Sequence, residues 1–276
     1  MTTDSTVAVS LTDVPETMLW TLHNRASEAA RPDGVIRDEM ALRIYRSLDY
    51  DYARSFGPAD PSHGVRSAVF DAELRPFLAT HPDGVIVNLG EGLETQRFRV
   101  DNDRALWLSV DVPDAIAIRE RFMAPGARHQ HIATSALDRA WFEAVPPDRA
   151  VFITAQGLLM YFEEAEVAAL VRDMAARFPG AWFAFDHIPR WFSNKTLRGF
   201  KKTPHYRAPR MPWGINIDEI EPTLRAWVPD LAEYRRLPFN WPRGFRKWLY
   251  GTWTVAPVMW RHAPGIARIR FGQHHA

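Results

Sequence analysis

Two glycines stand where an apolar run stops: Gly84-Val85-Ile86-Val87-Asn88-Leu89 leads directly into Gly90-Glu91-Gly92. Apolar and β-branched residues bounded by glycine fit a strand buried on both faces of a parallel sheet. A Gly-x-Gly turn at its end lets the backbone come close to a ligand, and the helix that follows turns N–H groups toward it. A second run, Ala105-Leu106-Trp107-Leu108-Ser109-Val110, ends in Asp111, twenty-one residues after Gly90. At that spacing nucleotide-binding α/β folds place a carboxylate that accepts from both ribose hydroxyls. Two arginines, Arg25 and Arg66, add planar forks able to grip a carboxylate through two hydrogen bonds.

These residues need a sheet to carry them and helices to cover it. A helical pattern starts at Pro15 and runs through Met18, Leu19 and Leu22 with Arg25 on or beside that face; residues before Leu11 read as disordered. A second helix spans Asp38 to Leu48, and Arg66 and Arg75 sit on a third, from Val65 to Thr80. Tyr50, Tyr52 and Phe56 read as an amphipathic core edge. Further strands are expected near His129–Ala133, Ala150–Thr154, Ala181–Phe185, Glu233–Leu237 and Ile266–Phe271. Pro113 suits the first turn of a helix after Asp111. Val167, Leu170, Val171, Met174, Ala175 and Phe178 form one buried helical stripe. A further helix is expected from Ile217 to Trp227, and an aromatic core helix between Phe245 and Trp260. The stretch after Asp186-His187, with Trp191, Tyr206 and Trp213 and no clear periodicity, reads as a long insertion over the carboxyl edge of the sheet. The chain thus divides into a helical cap (1–80), a ligand-binding core (81–186) and a substrate-side insertion with the end of the sheet (187–276), all in one α/β domain. At 276 residues there is no room for two comfortable ones.

Composition narrows the partners. Lys plus Arg number 34 against 33 Asp plus Glu, which gives no support to a nucleic-acid surface or a polybasic membrane anchor. No cysteine is present, so disulfides, thiolate metal sites and cysteine nucleophiles are excluded. Without an apolar leader or a run of about eighteen apolar residues, a cytoplasmic protein is expected, a monomer or homodimer with a small-molecule ligand.

The segments NLGEGLETQRFRVDN, WLSVDVP and TAQGLLMYF resemble those of the leucine carboxyl methyltransferase family, in particular its bacterial branch of tetracenomycin-type polyketide O-methyltransferases. PETMLWTLHNRA, FDHIPRWFS and MPWGI extend the resemblance from about Val14 to the C-terminus. It implies a class I methyltransferase fold, Rossmann-like with a mostly parallel sheet flanked by helices. The implied cofactor is S-adenosylmethionine (SAM), with S-adenosylhomocysteine as product and no metal. The implied cofactor contacts are Arg66, Gly90, Glu91, Gly92, Asp111, Val112, Ser135, Ala136, Leu137, Gln156 and Gly157. Arg66 occupies the position of an arginine that holds the carboxylate of SAM or of the substrate. Ser135 stands about where many relatives have Asp, with Asp138 three residues later, leaving two candidates for the adenine amine. Gln156 replaces a Glu that binds the methionine portion of SAM. Tyr161 is implied to face the methyl donor, and Arg66, Tyr161 and Arg25 form the expected catalytic set.

Methyl transfer from a sulfonium is an in-line displacement, which asks the protein to align a nucleophile and exclude water. A carboxylate, of pKa about 4, arrives ionised and needs only an arginine clamp; a phenol, of pKa about 10, gains from a base. His129, His131, His187 and His205 are the plausible bases, and none falls in a recognisable dyad. Carboxyl methylation of a polyketide or other secondary metabolite is therefore the first reading and phenolic O-methylation of an aromatic product the second. A non-catalytic SAM-binding regulator is a third. An NAD-dependent dehydrogenase fits poorly, because Thr95 replaces the third glycine of the dinucleotide motif and no lysine precedes Lys195.

Overall fold

The computed structural model describes residues 7–8, 14–244, 247–248 and 260–273. A two-residue strand, β1 (Val7–Ala8), pairs in parallel with β2 (Leu48–Asp49), within the stretch before Leu11 that reads as disordered from sequence; the rest of that stretch lies outside the described residues. Between them lie α1 (Thr17–Ala29) and α2 (Glu39–Ser47), the latter capped by Asp38, whose side chain accepts from Ala41 N at 2.9 Å. Two more helices, α3 (Tyr52–Phe56) and α4 (Ser62–Thr80), complete the amino-terminal part.

The sheet begins at β3 (Val85–Leu89), followed by α5 (Gln96–Val100), β4 (Leu106–Asp111), α6 (Pro113–Arg119), β5 (His129–Ala133), β6 (Val151–Ala155), α7 (Glu164–Arg177) and β7 (Trp182–His187). After an insertion come α9 (Ile217–Trp227), β10 (Glu233–Leu237) and β11 (Gly265–Arg270). Seven strands join in the order β10-β11-β7-β6-β3-β4-β5, all parallel except β11, which runs antiparallel to both its neighbours. This is the mostly parallel α/β sheet expected.

Burial on both faces explains the unbroken apolar runs. Val85, Val87 and Leu89 pack with Val167, Leu170 and Met174 of α7 and Ile220 and Leu224 of α9. Ile86, between them, packs on the other face with Phe70, Leu74 and Phe77 of α4. A third apolar cluster joins Leu19, Leu22 and Ile44 of the cap to Leu93 after the Gly-x-Gly turn, Ile118 of α6, and Met160 and Tyr206. The cap is thereby fastened to the carboxyl edge of the sheet.

The insertion is more regular than its sequence suggests. It holds α8 (Arg190–Leu197) and a hairpin of β8 (Lys201–Thr203) and β9 (Tyr206–Arg207). The helix is anchored by hydroxyls: Ser193 Oγ donates to Met211 O at 2.7 Å, and Thr196 Oγ1 accepts from Met211 N at 3.0 Å. Trp191 is exposed, whereas Tyr206 and Trp213 are buried. Most of the aromatic helix expected between Phe245 and Trp260 lies outside the described residues.

Candidate active site

The sheet register brings the chemistry to one edge. Leu89 pairs with Val110 on one side and Ala155 on the other, so β3, β4 and β6 end together. The strand order reverses at β3, and ligands of open α/β sheets bind in the crevice so formed. A cavity of about 370 Å³ opens there, lined by Gly90, Glu91, Gly92, Asp111, Val112, Ser135, Ala136, Gln156, Gly157, Arg66, Arg25 and Tyr161. Of the implied cofactor contacts and the expected catalytic set, Leu137 alone is not part of this lining; it is half-buried against the main core.

Gly90 and Gly92 have φ of +62° and +49°, a region side chains rarely enter. A Cβ on Gly90 would meet Leu158 Cδ1 at 2.6 Å, and one on Gly92 would meet Met18 Cβ at 3.1 Å. Asp111 reaches across from β4: Oδ2 accepts from Gly92 N at 2.7 Å and Oδ1 from Val112 N at 2.8 Å. Burial pushes its carboxyl up to about 6, against the pull of those two amides and of Arg119. Beside it, Thr154 Oγ1 donates to Asn88 Oδ1 at 2.7 Å, and Asn88 Nδ2 donates to Glu91 Oε1 at 2.9 Å. Arg119, wholly buried, pairs with Glu91 Oε2 at 3.0 Å and donates to the Gly92 and Glu94 carbonyls, both at 2.8 Å.

On the opposite wall, Arg66 Nη1 donates to Asp186 Oδ2 at 3.0 Å, and Asp186 Oδ1 accepts from Gly157 N at 2.5 Å. Two buried polar atoms here lack a partner, Arg66 Nε and Gln156 Oε1. Burial raises the Tyr161 phenol above its usual pKa, although a hydrogen bond with the Thr17 side chain acts the other way, so Tyr161 is neutral at ordinary pH.

Arg25 is placed differently from the clamp expected of it. It is 1% exposed, and each of its three nitrogens has a protein partner: Nε with Asp38 at 3.2 Å, Nη1 with Glu94 at 3.1 Å, Nη2 with the Leu93 carbonyl at 2.6 Å. Arg99 closes the network, with Nη1 2.7 Å from Asp38 and 2.8 Å from Glu94, and Nε 2.7 Å from Asp71. Burial alone would raise the Glu94 pKa, but Arg25 and Arg99 hold it well below the usual carboxylate range.

The two candidates for the adenine contact separate. Ser135 lines the cavity; Asp138 does not, and its oxygens accept from Ala140 N at 2.9 Å and Thr134 Oγ1 at 3.1 Å, capping the turn Arg139–Ala144. Nor does any histidine line it among the described residues. His187 is buried with Nδ1 3.1 Å from the Ile215 carbonyl, and burial lowers its pKa to about 4. His129 is lowered to about 3 by burial, and His131 is lowered by the same cause.

Comparison with known proteins identifies this arrangement. The profile described as leucine carboxyl methyltransferase matches residues 18–175. The tetracenomycin polyketide synthesis O-methyltransferase of Streptomyces glaucescens is 34% identical over 226 residues, 81% of this chain and 82% of that protein. The chain belongs to the leucine carboxyl methyltransferase family. It is thus an enzyme of the SAM-dependent methyltransferase class. An S-adenosyl-L-methionine-dependent methyltransferase of Gibberella zeae is 29% identical over 188 residues, 62% of this chain and 63% of that one. Among solved structures, a possible exported protein of Bordetella parapertussis shares the fold, with a TM-score of 0.50 at 13% identity over 94% of this chain and 95% of that one. The N-methyltransferase NodS of Bradyrhizobium japonicum in complex with S-adenosylhomocysteine gives 0.47 at 13% identity over 91% of this chain and 98% of that one.

The cavity of this family member fits SAM. An orphaned acceptor, Gln156 Oε1, and an orphaned donor, Arg66 Nε, complement the ammonium and carboxylate of a methionine moiety. Among the described residues no group of three His, Cys, Asp or Glu side chains is arranged to hold a metal ion, and no helix is long and apolar enough to cross a membrane. Sequence reasoning passed over Asn88, Thr154, Arg119 and Asp186. Asn88 and Thr154 had a signal, since each is a polar residue in an otherwise apolar strand and the register sets them side by side. Arg119 and Asp186 carry no such mark.

Proposed function

We propose that this enzyme methylates a carboxylate of a small molecule, forming a methyl ester. The observation that carries the reading is the state of the acids in the cavity. Asp111 is held by two backbone amides, Glu91 by Asn88 and Arg119, and Glu94 by Arg25 and Arg99. With these acids engaged and no histidine lining the cavity among the described residues, there is no free base to deprotonate a phenol. The nucleophile must arrive ionised, as a carboxylate does.

Bound SAM supplies an electrophilic methyl group on a sulfonium. Asp111 accepts from the ribose hydroxyls, while Gly90 and Gly92 let the backbone lie against the nucleoside. Ser135 and Ala136 border the adenine. Arg66 donates to the methionine carboxylate and Gln156 Oε1 accepts from its ammonium, without the charge a Glu would bring. Pro15, Met18, Leu158, Phe162 and Tyr161 form an apolar and aromatic wall that excludes water and suits a flat acceptor in the cytoplasm, such as a polyketide acid. Arg25 braces the Leu93–Glu94 turn and is not given to the substrate. Incubation with methyl-labelled SAM and candidate carboxylic acids tests the reading: label should appear in a product that mild base hydrolyses, and a base-stable methyl ether would overturn it.

A further inference from the structure

Asp186 ends β7 and does not line the cavity, yet it meets two residues that do. Its Oδ2 takes Nη1 of Arg66 at 3.0 Å and its Oδ1 takes the amide of Gly157 at 2.5 Å. Gly157 lies at φ +70°, and a Cβ there would stand 2.7 Å from Arg66 Nη1, so only glycine allows the guanidinium to seat so close to the β6 turn. A guanidinium is planar, and its side-on fork is formed by Nε and Nη2, away from Nη1. Holding Nη1 therefore fixes the plane of the group while leaving that fork for another anion. Arg66 is 8% exposed, and its Nε has no partner in the protein. A buried donor without a partner is costly unless a ligand supplies one.

We infer that Asp186 is a positioning residue: it locks Arg66, through Nη1 and together with Gly157, so that the Nε–Nη2 fork faces the carboxylate of the cofactor's amino-acid portion. This rests on the reading that Arg66 meets that carboxylate. The consequence is specificity within the cofactor class. Asp186 matters for ligands that carry the amino-acid carboxylate and is silent for the nucleoside alone.

Asp186→Asn keeps Oδ1 for the Gly157 amide but turns an NH2 group toward Arg66 Nη1, so two donors face each other and the guanidinium swings out of its plane. Calorimetric titration of wild type and variant with S-adenosylhomocysteine and with 5′-methylthioadenosine, which lacks the amino-acid portion, reads the effect. S-adenosylhomocysteine should weaken by about tenfold in the variant, the size expected for a misdirected charge-assisted hydrogen bond. The affinity for 5′-methylthioadenosine should stay within about twofold. Unchanged S-adenosylhomocysteine binding, or an equal loss for both ligands as a merely structural role would give, overturns the inference. Equal affinity of the wild type for the two ligands overturns the Arg66 reading itself, and does so without any substitution. If Asp186→Asn does not fold, Gly157→Ala leaves Asp186 intact and presses a methyl group against Nη1; the same ligand-selective loss is expected, and its absence counts against the lock.

Discussion

Asp111 and Gly92 are bonded to each other across two strands: Oδ2 of the acid that ends β4 accepts the amide of the turn that follows β3, at 2.7 Å. One carboxylate thus shapes the Gly-x-Gly turn and lines the cavity, where the proposed function sets it against the ribose. Asp111→Ala should weaken SAM binding by about 1–3 kcal/mol, the range for leaving such polar partners unmade. Isothermal titration checks this, and wild-type affinity in the variant would remove Asp111 from the cofactor site.

The same residue sets a pH dependence. Burial raises its pKa to about 6, and acceptance from two ribose hydroxyls uses the ionised form. Affinity for SAM should be level above about pH 7 and weaken as pH falls through 6, by up to about tenfold per unit. Stability of the free protein carries the opposite sign. A carboxyl whose folded pKa is raised takes up protons on folding, so its contribution is complete below the unfolded value near 4 and is lost as pH rises through 6. Asp111→Asn should flatten both curves, measured by titration and by denaturant unfolding over the same range.

Arg25 should behave as a brace. Its removal leaves Asp38 and Glu94 buried with one cationic partner, Arg99, between them. Arg25→Ala should cost about 3 kcal/mol of folding free energy, the scale for breaking a buried ion pair from one side. A substrate clamp would show the reverse, with stability kept and turnover lost, and urea unfolding beside an activity assay tells the two apart.

Chelation should leave methyl transfer intact. In the proposed function the cavity residues orient and enclose the reactants, and in-line displacement at a sulfonium asks for no Lewis acid. Activity after exhaustive EDTA treatment is the measurement; loss restored by magnesium would contradict it.

Much of this was legible before the fold was known, for reasons that can be traced. Strands buried on both faces give unbroken apolar runs, so β3 and β4 declared themselves, and a Gly-x-Gly turn with an acid at the right interval marked their carboxyl ends. His129–Ala133, Ile217–Trp227 and Glu233–Leu237 fall where expected. The helix Arg190–Leu197 was hidden because serine and threonine hydroxyls anchor it where an apolar stripe would otherwise show. Charge partners were hidden for a deeper reason. Arg25 meets Glu94 from 69 residues away and Arg66 meets Asp186 from 120. Such pairings depend on how elements pack, and no local spacing encodes them. An arginine's availability for a ligand is therefore a property of the fold: Arg25 is expected from sequence in the catalytic set and Arg66 against the carboxylate of SAM or of the substrate, and neither expectation carries the acidic partner that the fold supplies.

The nature of the nucleophile is decided most directly by a pH–rate profile at saturating SAM with an identified acceptor. An acceptor that arrives as a carboxylate predicts a rate that is flat from pH 6 to 8, in the wild type and in His187→Ala alike. A rate that climbs about tenfold per pH unit across that range, with a methylated product stable to base, would contradict ester formation and make the acceptor a phenol.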